Sequence, residues 1–114
     1  VSAVSEIVDA QLDAYNDRDL ERFVECHAED IVITNAAGQV MAEGHEGIRQ
    51  MYSGLFAESP QLAARILNRI EVGGFVTDHE AVEGFILPGS PSSFEAIANY
   101  QVTDGKISRV ALHF

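Results

Sequence analysis

The sequence predicts an α+β fold in which three N-terminal helices pack on a strongly curved, mainly antiparallel sheet that forms a cone. Three observations carry this expectation. Apolar residues of the first half recur at three- and four-residue steps, as helices with one buried face require. The second half is rich in β-branched and aromatic residues and is cut by the turn signals Gly73-Gly74 and Asp104-Gly105. Helices that come first and strands that follow describe α+β rather than alternating α/β architecture.

Val4, Ile7, Val8, Gln11, Leu12 and Tyr15 mark a first helix over residues 3–17, with Gln11 inside its apolar stripe. Asn16-Asp-Arg-Asp19 is a polar corner, and Asp19 suits the N-cap of a second helix whose stripe is Leu20, Phe23, Val24 and His27. Ile31-Val-Ile-Thr-Asn35 reads as a short strand, closed by the turn formers Ala36-Ala-Gly38. A third helix starts near Gly44, buries Ile48, Met51, Tyr52 and Leu55, and stops at Ser59-Pro60, because proline disfavours helix in the residue before it. Four strands then form a meander: 62–72 and 75–87 around Gly73-Gly74, a third after the Pro88–Ser93 loop, and 107–114 after Thr103–Lys106.

The 114 residues suit one domain, residues 1–114, with neither repeats nor linkers. Eighteen acidic residues against seven basic ones give a net charge of -11, which repels phosphate backbones and anionic lipid, so neither nucleic acid nor membrane is expected as a partner. No apolar run reaches the length of a membrane span, and no signal-peptide layout precedes the first helix, so a soluble cytoplasmic protein is expected. The chain begins at Val1 without methionine and stops within an apolar alternation at Phe114, so trimmed natural ends are expected. The lone Cys26 lacks a thiol-activating motif and reads as a small buried helix residue. The histidines show no ligand spacing such as HxxxH, and neither a metal nor another cofactor is expected.

The stretch Tyr15–Asn35, followed by Gly44-His-Glu-Gly-Ile-Arg-Gln-Met-Tyr52, resembles the nuclear transport factor 2-like superfamily, which includes ketosteroid isomerases and SnoaL-like polyketide cyclases. The order of elements along nearly the whole chain matches as well. The resemblance implies a cone whose open end is a ligand pocket, and a homodimer paired through the outer face of the sheet. It also places Asn35 at the general-base aspartate of the isomerases, Gln11 at their oxyanion tyrosine, Ala98 at their oxyanion aspartate and Tyr52 at a supporting tyrosine. An amide cannot take and return a proton as a carboxylate does, so an isomerase of the known type is not expected.

A small, mainly apolar organic molecule is the expected partner, bound by Asn35, Tyr52, Gln11, Tyr15, Val76, Val82, Ala98, Tyr100 and Phe114. Glu80 and His27 are the candidate acid–base pair. Strand alternation puts Asp78 and Glu80 on one face with Val76 and Val82, so that face is expected toward the cone, yet Ile66, Ile70, Val72 and Phe75 make the other face apolar too. With Gly73-Gly74 as the turn, Arg69 falls opposite Asp78 and Asn68 opposite His79. His113 is expected on the face opposite Val110, Leu112 and Phe114. Each polar candidate has a structural alternative. Asn35 can cap the following turn; Gln11, Tyr52 and His27 can satisfy one another in the core; Glu80 can pair with Arg69. The rival function is a non-catalytic dimeric module with a vestigial pocket.

Overall fold

Local hydrogen bonding decides where the first two helices begin and end. In the computed structural model, which describes residues 2–114, helix α1 (Ala3–Asp17) opens on a capping box between Ser2 and Ser5. It stops where Arg18 turns left-handed at φ 54° and returns its N–H to the last carbonyls. Asp19 then caps α2 (Leu20–Glu25) by accepting from the Arg22 amide. Helix α3 spans Gly44–Glu58. The six strands are β1 (His27–Thr34), β2 (Val40–Glu43), β3 (Ala63–Val72), β4 (Phe75–Glu83), β5 (Phe94–Thr103) and β6 (Lys106–His113).

They form one sheet in the order β2-β1-β6-β5-β4-β3, which stays open between β2 and β3. Every pairing is antiparallel except β1 with β6. The α+β class, the three helices and the mainly antiparallel sheet are as expected. Two details differ. His27 belongs to β1 and not to α2, because the helix ends after six residues and His27 pairs with Ile107 across the parallel ladder. Strand β2 was not foreseen, since four residues between a turn and a helix carry too short an alternation to be recognised before they pair with β1.

The Gly73-Gly74 turn sets the register as expected, with Arg69 opposite Asp78 and Asn68 opposite His79. Further along β3 a bulge between Ile66 and Asn68 reverses the alternation and places Ile66 opposite Glu80. Ile66, expected on the face of Ile70 and Val72, is thereby moved to the face of Glu80 although all three share one parity. Ile66 faces inward, while Ile70 and Val72 face outward and are exposed. At the far end of β4, Gly84 (φ 67°) lies so close to the Gln61 carbonyl that a Cβ would sit 2.2 Å from its oxygen. Next to it the buried Ser59 hydroxyl accepts from the Ile86 amide at 3.0 Å, tying the end of α3 to the segment that leaves β4.

Helix α1 is fastened to β3 at three levels. Ser2 donates to the Glu71 carboxylate near the start. In the middle, Arg69 clasps Asp78 through Nε and Nη2 at 2.6 and 2.9 Å and reaches Asp9 through Nη1 at 2.7 Å. At the end, the Asn16 amide pairs both ways with the Ala64 backbone, at 2.9 and 2.7 Å. Between these ties the core closes around Val8, Ile31, Ile33, Ile48, Val76 and Ile107. A cluster of rings joins α1, α2 and α3: Phe23 stacks 4.7 Å from Tyr52 and 5.5 Å from Phe56, with Tyr15 6.1 Å away.

Asp78 is 0% exposed, so removing its partner strands a charge in the core. Arg69→Ala should therefore cost about 3–5 kcal/mol in urea melts. Asp17→Ala, which breaks a solvent-exposed pair with Arg22, should cost less than about 1 kcal/mol. Equal costs would contradict the central role given to Arg69.

Candidate functional site

Between α1, α3 and the concave face of the sheet lies a cavity of about 160 Å³. Its walls are contributed in a regular way. Helix α1 presents Gln11, Leu12 and Tyr15, which follow one another at helical steps, and α3 presents Met51, Tyr52 and Leu55. Strands contribute inward residues at alternate positions: Glu80 and Val82 from β4, Phe94 and Ala96 from β5, with Tyr100 further along the same face. Met41, Phe85, Leu87, Leu112 and Phe114 complete the lining, and Ala64 supplies a small residue beneath α1.

Glu80 is the one ionisable carboxylate on this wall. Its cross-strand neighbours are Ile66 and Ala96, neither of which can hydrogen-bond through its side chain. Among the described residues none donates a hydrogen bond to the carboxylate. Burial, reinforced by the charge of Asp78 two residues away and only partly offset by Arg69, pushes the Glu80 pKa up to about 7. At neutral pH it can both take and give a proton.

Three phenols share the cavity. Burial raises the pKa of Tyr15, Tyr52 and Tyr100 far above the usual tyrosine value, and the nearby Glu80 charge adds to each rise. All three are neutral donors at physiological pH. The Gln11 amide donates to the Val8 carbonyl at 3.1 Å and to the Tyr100 hydroxyl at 3.4 Å, so Tyr100 keeps its own proton available. The hydroxyls of Tyr15 and Tyr52 have no hydrogen-bond partner among the described residues.

The structure thus brings Glu80, Gln11, Tyr15, Tyr52, Val82, Tyr100 and Phe114 to one cavity. Four expected residues lie elsewhere. Asn35 sits in the β1–β2 turn, where its carbonyl oxygen accepts from the amides of Ala37 and Gln39 and its NH2 donates to the Gln39 side chain. It caps the turn, as short polar residues do, and does not reach the cavity. His27 is buried behind Phe23, donating Nδ1–H to the Phe23 carbonyl at 2.7 Å, and burial lowers its pKa to about 4. It lines no part of the cavity, so it cannot partner Glu80. Val76 and Ala98 are packed in the core and do not line the cavity.

The expected network of Gln11, Tyr52 and His27 is not formed, because His27 spends Nδ1 on the Phe23 carbonyl and Gln11 turns to Val8 and Tyr100. Nor is Glu80 paired with Arg69, whose guanidinium is committed to Asp78 and Asp9. Sequence reasoning had assigned Leu12, Met51 and Leu55 to buried helix faces without assigning them to the site. Phe85 and Leu87 fall on the face opposite Glu80 if the strand runs to 87 as expected, but β4 ends at Glu83; Phe94 opens β5 directly after the loop, and Met41 lies on the unforeseen β2.

The family model for the SnoaL-like domain matches residues 8–110, which include all of the cavity lining except Leu112 and Phe114. The chain belongs to the SnoaL-like domain family. Among solved structures, this SnoaL-like chain is similar to an uncharacterised cystatin-fold protein from Novosphingobium aromaticivorans, at 34% identity over 98% of this chain and 97% of that one, with a TM-score of 0.85. A protein of ketosteroid isomerase-like fold from Catenulispora acidiphila, in complex with trimethylamine, is 19% identical over 96% of this chain and 85% of its own, with a TM-score of 0.77. A computationally designed 17-OHP binder is 14% identical, with 100% of this chain and 92% of that one covered and a TM-score of 0.83. The last two establish the fold alone. No curated protein matches the sequence.

The two shifted groups predict opposite pH effects on stability. Glu80 has a folded pKa above its unfolded value, so its contribution is present below about pH 4.5 and is lost as the pH rises through about 7. His27 has a folded pKa below its unfolded value, so its contribution is present above about pH 6.5 and is lost as the pH falls through about 4. Each effect is on the order of 3 kcal/mol. In urea melts between pH 4 and 8, Glu80→Gln should gain stability relative to wild type as the pH rises. His27→Asn, which retains a donor for the Phe23 carbonyl, should lose ground over the same range. Parallel curves for both variants and wild type would show that neither group is shifted.

Proposed function

We propose that this SnoaL-like protein binds a small, mainly apolar organic molecule in the cavity and exchanges a proton with it through Glu80. The observation that carries this reading is a buried carboxylate without a counter-ion, placed on the wall of an otherwise apolar cavity beside three neutral phenols. A general acid or base works best when its pKa lies near the working pH, and phenol hydroxyls can stabilise charge that develops on a ligand oxygen. The C. acidiphila complex with trimethylamine and the designed 17-OHP binder support the reading, since both proteins hold small organic molecules in the same fold.

The position that the resemblance aligned with a catalytic aspartate holds Asn35, and that residue caps a turn outside the cavity. Any acid–base step therefore falls to Glu80, not to the strand end used by the isomerases. A cavity of this volume holds about one six-membered ring, so a four-ring steroid exceeds it. Small-ring ketones such as cyclohexanone are suitable probes of proton abstraction. Wild type should accelerate exchange of their α-hydrogens for deuterium, followed by NMR. Glu80→Gln should lower the protein-dependent rate by about a hundredfold or more, with unchanged folding by circular dichroism. Equal acceleration by both proteins would remove Glu80 from the chemistry, and no acceleration by wild type would leave a non-catalytic binding module.

We further propose that a second copy of the chain covers the outer face of the sheet. Ile70, Val72, Phe75 and Ile97 are exposed there on neighbouring strands, and a patch of this kind is costly to leave in water. Light scattering at micromolar concentration should give about twice the 12.4 kDa chain mass. A mass of one chain would reject the dimer.

A further inference from the structure

The cavity has a charge preference that its shape alone does not reveal. Six of the nine aromatic residues of the chain, Tyr15, Tyr52, Phe85, Phe94, Tyr100 and Phe114, line it. Two methionines, Met41 and Met51, add polarisable surface. Among the described residues no lysine, arginine or histidine lines the cavity, and Glu80 is the single carboxylate that does. The arginine within reach of this part of the sheet is spent on a different carboxylate: all three of the Arg69 contacts go to Asp78 and Asp9. From these observations we infer that the ligand is a small cation, an aliphatic or benzylic amine of about one ring in size, whose ammonium group lies against Glu80 and the faces of the surrounding rings.

The inference rests on the proposed binding role of the cavity and adds the chemical class of what binds. An aromatic face attracts a positive charge through its quadrupole, and the attraction grows when the site is dry. A buried carboxylate without a counter-ion is costly, and a ligand cation would remove that cost where no protein side chain does. The phenol oxygens of Tyr15 and Tyr52, which have no partner among the described residues, can accept hydrogen bonds from ammonium N–H groups. The net charge of -11 favours the approach of cations over that of anions of the same shape. A carboxylate ligand would meet Glu80 with no compensating cation and would be excluded. The same contact bears on the acid–base role, because an ammonium beside Glu80 favours the ionised form that accepts a proton while making it a weaker base.

Three probes of nearly equal size and different charge separate the possibilities: benzylamine, benzyl alcohol and benzoate. Each is small enough for a cavity of about 160 Å³. Titration calorimetry at pH 8, where Glu80 is largely ionised and the amine is still protonated, should give binding of benzylamine about tenfold or more tighter than benzyl alcohol. Benzoate should bind weakest. Glu80→Gln should bring benzylamine and benzyl alcohol to within about threefold of each other, and the melting temperature of the variant will show that it is folded. In wild type labelled with ¹³C on glutamate, the Glu80 carboxyl resonance should move on addition of benzylamine, which tests the contact without any substitution.

Equal binding of benzylamine and benzyl alcohol by wild type would overturn the amine inference and leave the cavity as a binding site for neutral molecules. Retention of the amine preference in Glu80→Gln, or a Glu80 resonance that does not respond, would overturn the contact with Glu80. Absence of binding by all three probes at millimolar concentration would overturn the binding role itself.

Discussion

The arrangement of this protein depends on the double ion pair that Arg69 makes with Asp78 and Asp9. A carboxylate that is fully withdrawn from water, as Asp78 is, destabilises a fold unless a cation meets it with good geometry. Arg69 does so with two parallel hydrogen bonds and spends its remaining contact on α1. One side chain therefore neutralises the interior of the sheet and holds a helix on its surface. The same commitment leaves Glu80, on the same face of β4, without a counter-ion. The two acids alternate along a single strand, but one is structural and the other is available to a ligand. Their difference arises from the register fixed at Gly73-Gly74, which brings Arg69 opposite Asp78, and from the bulge between Ile66 and Asn68, which brings the apolar Ile66 opposite Glu80.

Features with a local cause were legible in the sequence. The cap at Asp19, the turns at Gly38, Gly73-Gly74 and Asp104-Gly105, and the stop before Pro60 all follow from the chemistry of a few neighbouring residues. The pairing of Arg69 with Asp78 followed from the same logic, because a two-residue turn determines what lies opposite what. Features created by non-local pairing were not legible. Strand β2 exists because β1 lies beside it, and the strand character of His27 depends on Ile107, 80 positions later.

The site divides in the same way. Gln11, Tyr15, Tyr52 and Glu80 follow from helix stripes and strand alternation, and they meet at the cavity. Asn35 failed because placement at a strand end says nothing of the turn that follows, and there the backbone amides of Ala37 and Gln39 claim its side chain. His27 failed because helical periodicity was extended two residues past the end of α2. Phe85 was missed because the expected strand ran on to residue 87, where alternation turns it away from Glu80, whereas β4 ends at Glu83. Membership of the SnoaL-like family accounts for the frame. The charge character of the cavity is a property of this chain's own side chains.

The three ties between α1 and β3 also restrict how anything can enter. One wall of the cavity, formed by Gln11, Leu12 and Tyr15, belongs to a helix anchored at both ends and in the middle. Swinging that helix outward would strip Asp78 of its bridge to α1 and break the backbone pairing at Ala64 together. The rim is different in kind. Met41, Leu87 and Phe114 are partly or largely exposed, and their side chains are not held by hydrogen bonds. Entry and exit are then governed by side-chain rotations in picoseconds to nanoseconds, not by hinge motions in microseconds to milliseconds. If the cavity takes the ligand proposed above, such a doorway would admit a narrow molecule quickly and limit its width, so that the rim would select for size and the interior for charge.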